Sequence, residues 1–128
     1  MKILFVENHA VFAKTVTDVF LNGHDVLVVA SLAAARHQLA EDFDVVLVDY
    51  DLDDGKGDEL VSELRTTDRR PRIVGVSARP DGNSALLAAG ADAVCSKGEF
   101  GHILPLLERV LRASRSGVVR PGEGSRNR

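Results

Sequence analysis

The sequence predicts an α/β fold in which helices cover both faces of an open, doubly wound parallel sheet. Three observations carry this expectation. Short β-branched apolar runs alternate with stretches whose apolar residues recur at helical spacing. The runs are continuous rather than alternating, as in parallel strands covered on both sides. A helical stretch separates each strand from the next, and parallel neighbours need such crossovers.

In chain order, Ile3-Leu4-Phe5-Val6 reads as the first strand. Phe12, Val16, Val19 and Phe20 then share one helical face, with Asn22-Gly23 as the stop. Val26-Leu27-Val28-Val29 is the second strand, and Ser31 is placed to cap a helix carrying Leu32, Ala35 and Leu39. Val45-Val46-Leu47-Val48 is the third strand, followed by a helix marked by Leu60, Val61 and Leu64. Ile73-Val74-Gly75-Val76 is the fourth, followed by a short helix from Ala85 to Ala89 that ends at Gly90. A weaker fifth run, Ala91 to Cys95, is interrupted by Asp92. Ile103, Leu106, Leu107, Val110 and Leu111 form the last stripe, with Pro105 in or near its first turn. One domain over residues 1–115 results. Residues 116–128 read as a flexible basic tail, because Gly, Pro, Ser and Arg replace the periodicity there.

Composition narrows the function. The chain has 128 residues, 45% of them hydrophobic, enough for one core without disulfides or a structural metal. Its single cysteine, Cys95, excludes a cystine scaffold and reads as a buried thiol. No apolar run approaches the roughly 18 residues of a membrane span. The first run meets Glu7 after four apolar residues, unlike a secretory leader, so a cytoplasmic location with no membrane contact is expected. Net charge is -3, but residues 1–111 carry 11 basic and 18 acidic side chains. Seven acids from Glu41 to Asp54 have no Lys or Arg among them. Such a body suits a cation better than nucleic acid, whose binding rests on neutralised phosphates.

Open parallel sheets bind ligands beyond the carboxyl ends of their strands, where strand order reverses. The first strand delivers Glu7 and Asn8 there, the third Asp49, the fourth Ser77, and the fifth Lys97. Two acids, an amide, a hydroxyl and an amine match phosphoryl chemistry: a divalent cation on the oxygens, a carboxylate nucleophile, and an amine and hydroxyl to hold the group.

With these residues in place, the chain resembles the receiver domains of two-component response regulators from Met1 to about Arg112. The resemblance rests on Ile3 to His9, Val45 to Leu52, Gly57, Val76-Ser77-Ala78, and Gly90-Ala91-Asp92 leading to Ser96-Lys97. It implies a flavodoxin-like (βα)5 sheet with strand order 2-1-3-4-5. It implies phosphorylation of Asp49 by a histidine kinase or histidine phosphotransfer protein. Mg2+ is expected on Glu7, Asn8, Asp49 and the Asp51 backbone carbonyl, with Ser77 as the switch hydroxyl and Lys97 as the phosphate-pairing amine. The expected protein is a stand-alone signalling receiver that acts on another protein. No direct nucleic-acid contact is expected, and no enzymatic activity beyond its own phosphorylation and dephosphorylation.

Four positions depart from the family pattern. Asn8 replaces an acid, and unit charges about 4 Å apart interact by ~4 kcal/mol at an effective dielectric of 20, so Mg2+ binding is expected to be weak. Asp51 and Asp53 stand near enough in sequence to compensate in part, Asp53 itself replacing a frequent loop proline. Gly98 replaces a proline after Lys97, so a trans peptide and a looser loop are expected. Val94 replaces an aromatic residue that moves with the switch hydroxyl. These departures suit an alternative, a degenerate receiver that binds proteins without phosphorylation. Asp49-Tyr50-Asp51 also resembles the opening of haloacid-dehalogenase-like phosphatases, although Glu7 already occupies the first strand end. His9 is expected at the rim and, like the other three histidines, solvated.

Overall fold

The computed structural model describes residues 1–67 and 71–117. Five parallel strands, β1 (Lys2–Val6), β2 (Asp25–Val29), β3 (Val45–Asp49), β6 (Arg72–Ser77) and β7 (Ala93–Ser96), form one sheet in the order β2-β1-β3-β6-β7. Counting only those strands, the order is the expected 2-1-3-4-5. Helices α1 (Ala10–Val19), α2 (Leu32–His37), α3 (Gly57–Arg65), α4 (Pro80–Ala89) and α5 (Ile103–Gly117) alternate with them. Helix α5 runs on through Ser116 and Gly117, the first two residues of the expected tail 116–128, and the rest of that tail lies outside the described residues.

Strand periodicity divides the core in two. Ile3 and Phe5 of β1 join Val45, Leu47, Val74 and Val76 on the α1 and α5 face, with Ala13, Val16, Ile103 and Leu107. Leu4 and Val6 join Val46, Val48 and Ile73 on the other face, with Leu32, Ala35, Leu60, Val61, Leu64 and Leu86 from α2, α3 and α4. Adjacent residues point to opposite faces, so a continuous apolar run fills both layers.

Three elements differ from expectation. The edge strand β2 pairs only with β1, and Leu27 and Val28 are 37% and 39% exposed, so its apolar run is not covered on both faces. Val19 is 63% exposed, because α1 ends there and Leu21, just past the helix, fills the core in its place. Helix α4 starts at Pro80, well before Ala85, and ends as expected at Gly90, whose φ is +120°.

A short antiparallel hairpin, β4 (Asp51–Leu52) with β5 (Gly55–Lys56), interrupts the β3–α3 connection and turns through Asp53-Asp54. Asp54 ties it to α2, accepting from Leu32 N–H at 2.9 Å and Ala33 N–H at 3.0 Å. Ser31 caps the same helix by accepting from Ala34 N–H at 3.0 Å, as predicted. The two amide bonds hold the Asp54 carboxyl below the usual carboxylate range. Asp54→Ala is expected to speed hydrogen exchange at the Leu32 and Ala33 amides while leaving β3 protected; unchanged rates would refute the tie.

Candidate functional site

Sheet register delivers the site. Val6 pairs with Val48 and Asp49 with Val76, so Glu7 and Asp49 leave neighbouring strands at the same level. Ser77 pairs with Ser96, which places Lys97 just beyond the edge of β7. Glu7, Asp49 and Ser77 are 1%, 2% and 1% exposed, polar side chains closing an apolar sheet.

Glu7, Asp49 and Lys97 form one cluster. Lys97 Nζ lies 3.0 Å from Glu7 Oε1, 3.0 Å from Oε2 and 3.4 Å from Asp49 Oδ2, and its ammonium sits 4.9 Å from the centre of the Phe12 ring. Burial, and then the charge of Glu7, push the Asp49 carboxyl up to about 6, with Lys97 pulling the other way. Such a carboxyl is mostly ionised at neutral pH yet poorly solvated, the condition of a reactive carboxylate. The Lys97–Gly98 peptide is trans, as expected. The loop is not loose, however: Lys97–His102 is a 3-10 turn, and the Lys97 side chain is 14% exposed.

The other predicted residues take distinct places. Asn8 Nδ2 donates to Asp53 Oδ1 at 3.0 Å, while Asn8 Oδ1 is buried without a hydrogen-bond partner. Asp51 directs its carboxylate to Lys56 Nζ at 2.6 Å and toward the Arg79 guanidinium at 3.6 Å. The Lys56 bond holds that carboxyl below its usual range. The Asp51 side chain is therefore engaged away from the cluster, which leaves its predicted role to the backbone carbonyl. The Ser77 hydroxyl accepts from Arg79 N–H at 3.1 Å, at the entry to α4.

The structure gives contacts to two residues that the sequence had only placed, His9 at the rim and Gly57 in the loop, and adds Gly82. His9 N–H donates to Glu7 Oε2 at 3.1 Å, and His9 Nδ1 lies 3.4 Å from that oxygen, although the ring is 69% exposed. Its position two residues after Glu7 was the available signal. Gly57 has no room for a side chain, since a Cβ there would fall 2.0 Å from the Asp49 carbonyl oxygen. At Gly82 a Cβ would fall 2.4 Å from Ser77 Oγ and 3.1 Å from Tyr50 Cδ2. The Tyr50 ring has two cations close to it, with Lys56 Nζ 5.3 Å and Arg79 Cζ 5.6 Å from its centre.

The donor set fits a hard divalent cation. Asn8 Oδ1 is buried without a hydrogen-bond partner, Glu7 Oε1 and Asp49 Oδ2 are buried against the Lys97 ammonium, and all three are oxygens of the kind Mg2+ takes. Glu7, His9 and Asp49 can also bring ligand atoms within 4.8 Å of one another.

Comparison with solved structures shows the same architecture. A CheY-like response regulator receiver domain protein from Methanospirillum hungatei JF-1 matches with TM-score 0.79 and 22% identity, over 90% of this chain and 96% of that one. A Francisella response regulator receiver domain matches with TM-score 0.77 and 19% identity, over 88% and 98%. The receiver domain of a sensor histidine kinase from Pseudomonas aeruginosa PAO1, which has a magnesium ion coordinated in its active site cleft, matches with TM-score 0.77 and 23% identity, over 87% of this chain and 97% of that one. No curated protein matches. The sequence model of the response regulator receiver domain matches residues 3–104, a span running from β1 into α5 and taking in every residue of the cluster. On that match, the chain belongs to the response regulator receiver domain family.

Proposed function

We propose that this receiver accepts a phosphoryl group on Asp49 from a histidine kinase or histidine phosphotransfer protein, and signals by binding another protein. The observation that carries this reading is the ionisable, poorly solvated Asp49 carboxylate with Lys97 Nζ at 3.4 Å. An ionised Asp49 oxygen attacks phosphorus in line, forming an O–P bond as the P–N bond to the donor imidazole breaks. The electron pair leaves with the imidazole, which takes a proton from solvent. Glu7, Asn8 Oδ1, Asp49 and the Asp51 carbonyl would hold Mg2+, which supplies positive charge on the transferring oxygens.

Lys97 then turns from Glu7 toward the new phosphoryl oxygens. The group adds roughly -1.5 to -2 charge, which the ammonium is placed to offset. Ser77 gives up the Arg79 N–H to reach the same oxygens, and that exchange loosens the entry to α4. No turnover of other substrates is expected.

Incubation with acetyl phosphate and Mg2+, followed by intact-mass measurement, tests the reading. One phosphoryl unit is expected on the wild type and none on Asp49→Asn. A second reading, a receiver that binds proteins without phosphorylation, is favoured by the 4% exposure of the Asp49 side chain and the amide at Asn8. Failure of the wild type to form any adduct would select it. Release of phosphate from phosphomonoesters would instead select the phosphatase reading.

A further inference from the structure

We infer that Asp53 is a positioning residue that turns the Asn8 amide so that its oxygen, not its nitrogen, serves the cation cleft. This rests on the reading that the cleft takes a divalent cation.

A side-chain amide has one acceptor end and one donor end of nearly the same shape, so packing alone does not choose between them. Beside Glu7 and Asp49 the donor end has the electrostatic advantage, because its N–H groups would bond to carboxylates. That orientation would point N–H groups at an arriving cation. Asp53 removes the choice. Its carboxylate can only accept, and it takes Asn8 Nδ2 at 3.0 Å. Asn8 Oδ1 is left buried with no hydrogen-bond partner, an arrangement that costs free energy unless a ligand takes the oxygen.

The loop is built to hold Asp53 still. Leu52 pairs with Gly55, Lys56 Nζ clamps Asp51 at 2.6 Å, and Asp54 is fixed to the start of α2 by two amide bonds. Asp53 is the turn residue left to face Asn8. Two substitutions that depart separately from the family pattern, Asn8 for an acid and Asp53 for a loop proline, are therefore in direct contact.

Calorimetric titration of the full 128-residue chain with MgCl2 tests this, using wild type, Asp53→Ala, Asp53→Glu, Asn8→Asp and Asn8→Asp with Asp53→Ala. Asp53→Ala is expected to weaken Mg2+ binding roughly three- to tenfold, the range of one hydrogen bond, with Tm in Mg2+-free buffer unchanged. Asp53→Glu is expected to recover most of the affinity. In the Asn8→Asp background, Asp53→Ala is expected to cause no weakening, since a carboxylate offers oxygen whichever way it turns. A role for Asp53 as bulk negative charge would weaken binding equally in both backgrounds, and that result overturns the inference. Wild-type binding indifferent to Asp53→Ala overturns it too, and leaves the phosphoacceptor reading standing. A folded wild type that takes up no Mg2+ overturns both.

Discussion

Lys97→Met is expected to cost about 3–5 kcal/mol of folding stability at pH 7 without Mg2+, the usual loss when one partner of a buried ion pair is removed. Lys97 serves two acids whose side chains are 0% and 4% exposed, so its loss leaves two carboxylates buried together. Adding Asp49→Asn removes one of those charges and is expected to restore more than half of the deficit, a non-additivity that urea unfolding of the four proteins measures.

Titration supplies a second check. The Asp49 carboxyl sits at about 6 in the fold against an ordinary 3.8, so the fold disfavours its ionised form. This group's contribution is fully present below its unfolded pKa and is lost as pH rises through the folded one. Removing Lys97 drives the folded pKa higher still. The Lys97→Met deficit is therefore expected to shrink as pH is lowered from about 8 to about 5. Wild-type stability in the variant at pH 7 would contradict the ion-pair geometry.

Gly57→Ala is expected to cost about 3 kcal/mol, the upper end of ordinary overpacking, and to slow phosphorylation as well. The added Cβ would stand 2.0 Å from the Asp49 carbonyl oxygen, 3.0 Å from its carbonyl carbon and 2.8 Å from Val48 Cγ1. Backbone cannot swing aside like the end of a long side chain, so β3 or α3 must shift, and Asp49 shifts with it. The Gly57 N–H also donates to the Tyr50 carbonyl at 2.8 Å, which ties the helix start to the strand end. Entropic gain from replacing glycine, about 0.4–1 kcal/mol, does not offset this. Gly98→Ala is the control: a Cβ there meets nothing within 4 Å, so wild-type stability is expected. Thermal unfolding and the rate of adduct formation distinguish the two variants.

The fold was legible because each strand of the main sheet is apolar and each is bounded by polar residues. The cluster was legible because its members sit at strand ends, where a parallel sheet gathers distant residues. Other features lack a sequence period. Two-residue strands such as Asp51–Leu52 are too short to alternate, and the two turn residues between them, Asp53-Asp54, lack the glycine that marks such hairpins. The first half of α4 is Pro80, Asp81, Gly82, Asn83 and Ser84, with no apolar stripe, and at Gly82 the close approach to Ser77 and Tyr50 leaves no room for a side chain. Leu21 replaced Val19 in the core because a residue just beyond a helix obeys the loop's geometry, not the helical wheel. The Asn8–Asp53 contact spans 45 positions and carries no local signal.

The cations close to Tyr50 have a practical consequence. The protein has one tyrosine and no tryptophan, so its tyrosine emission comes from a single ring, adjoining Asp49 in sequence and held near Lys56 and Arg79. Any rearrangement of those two cations should change the brightness of that ring, so the molecule carries a built-in optical reporter of its own pocket, with no dye or label to attach.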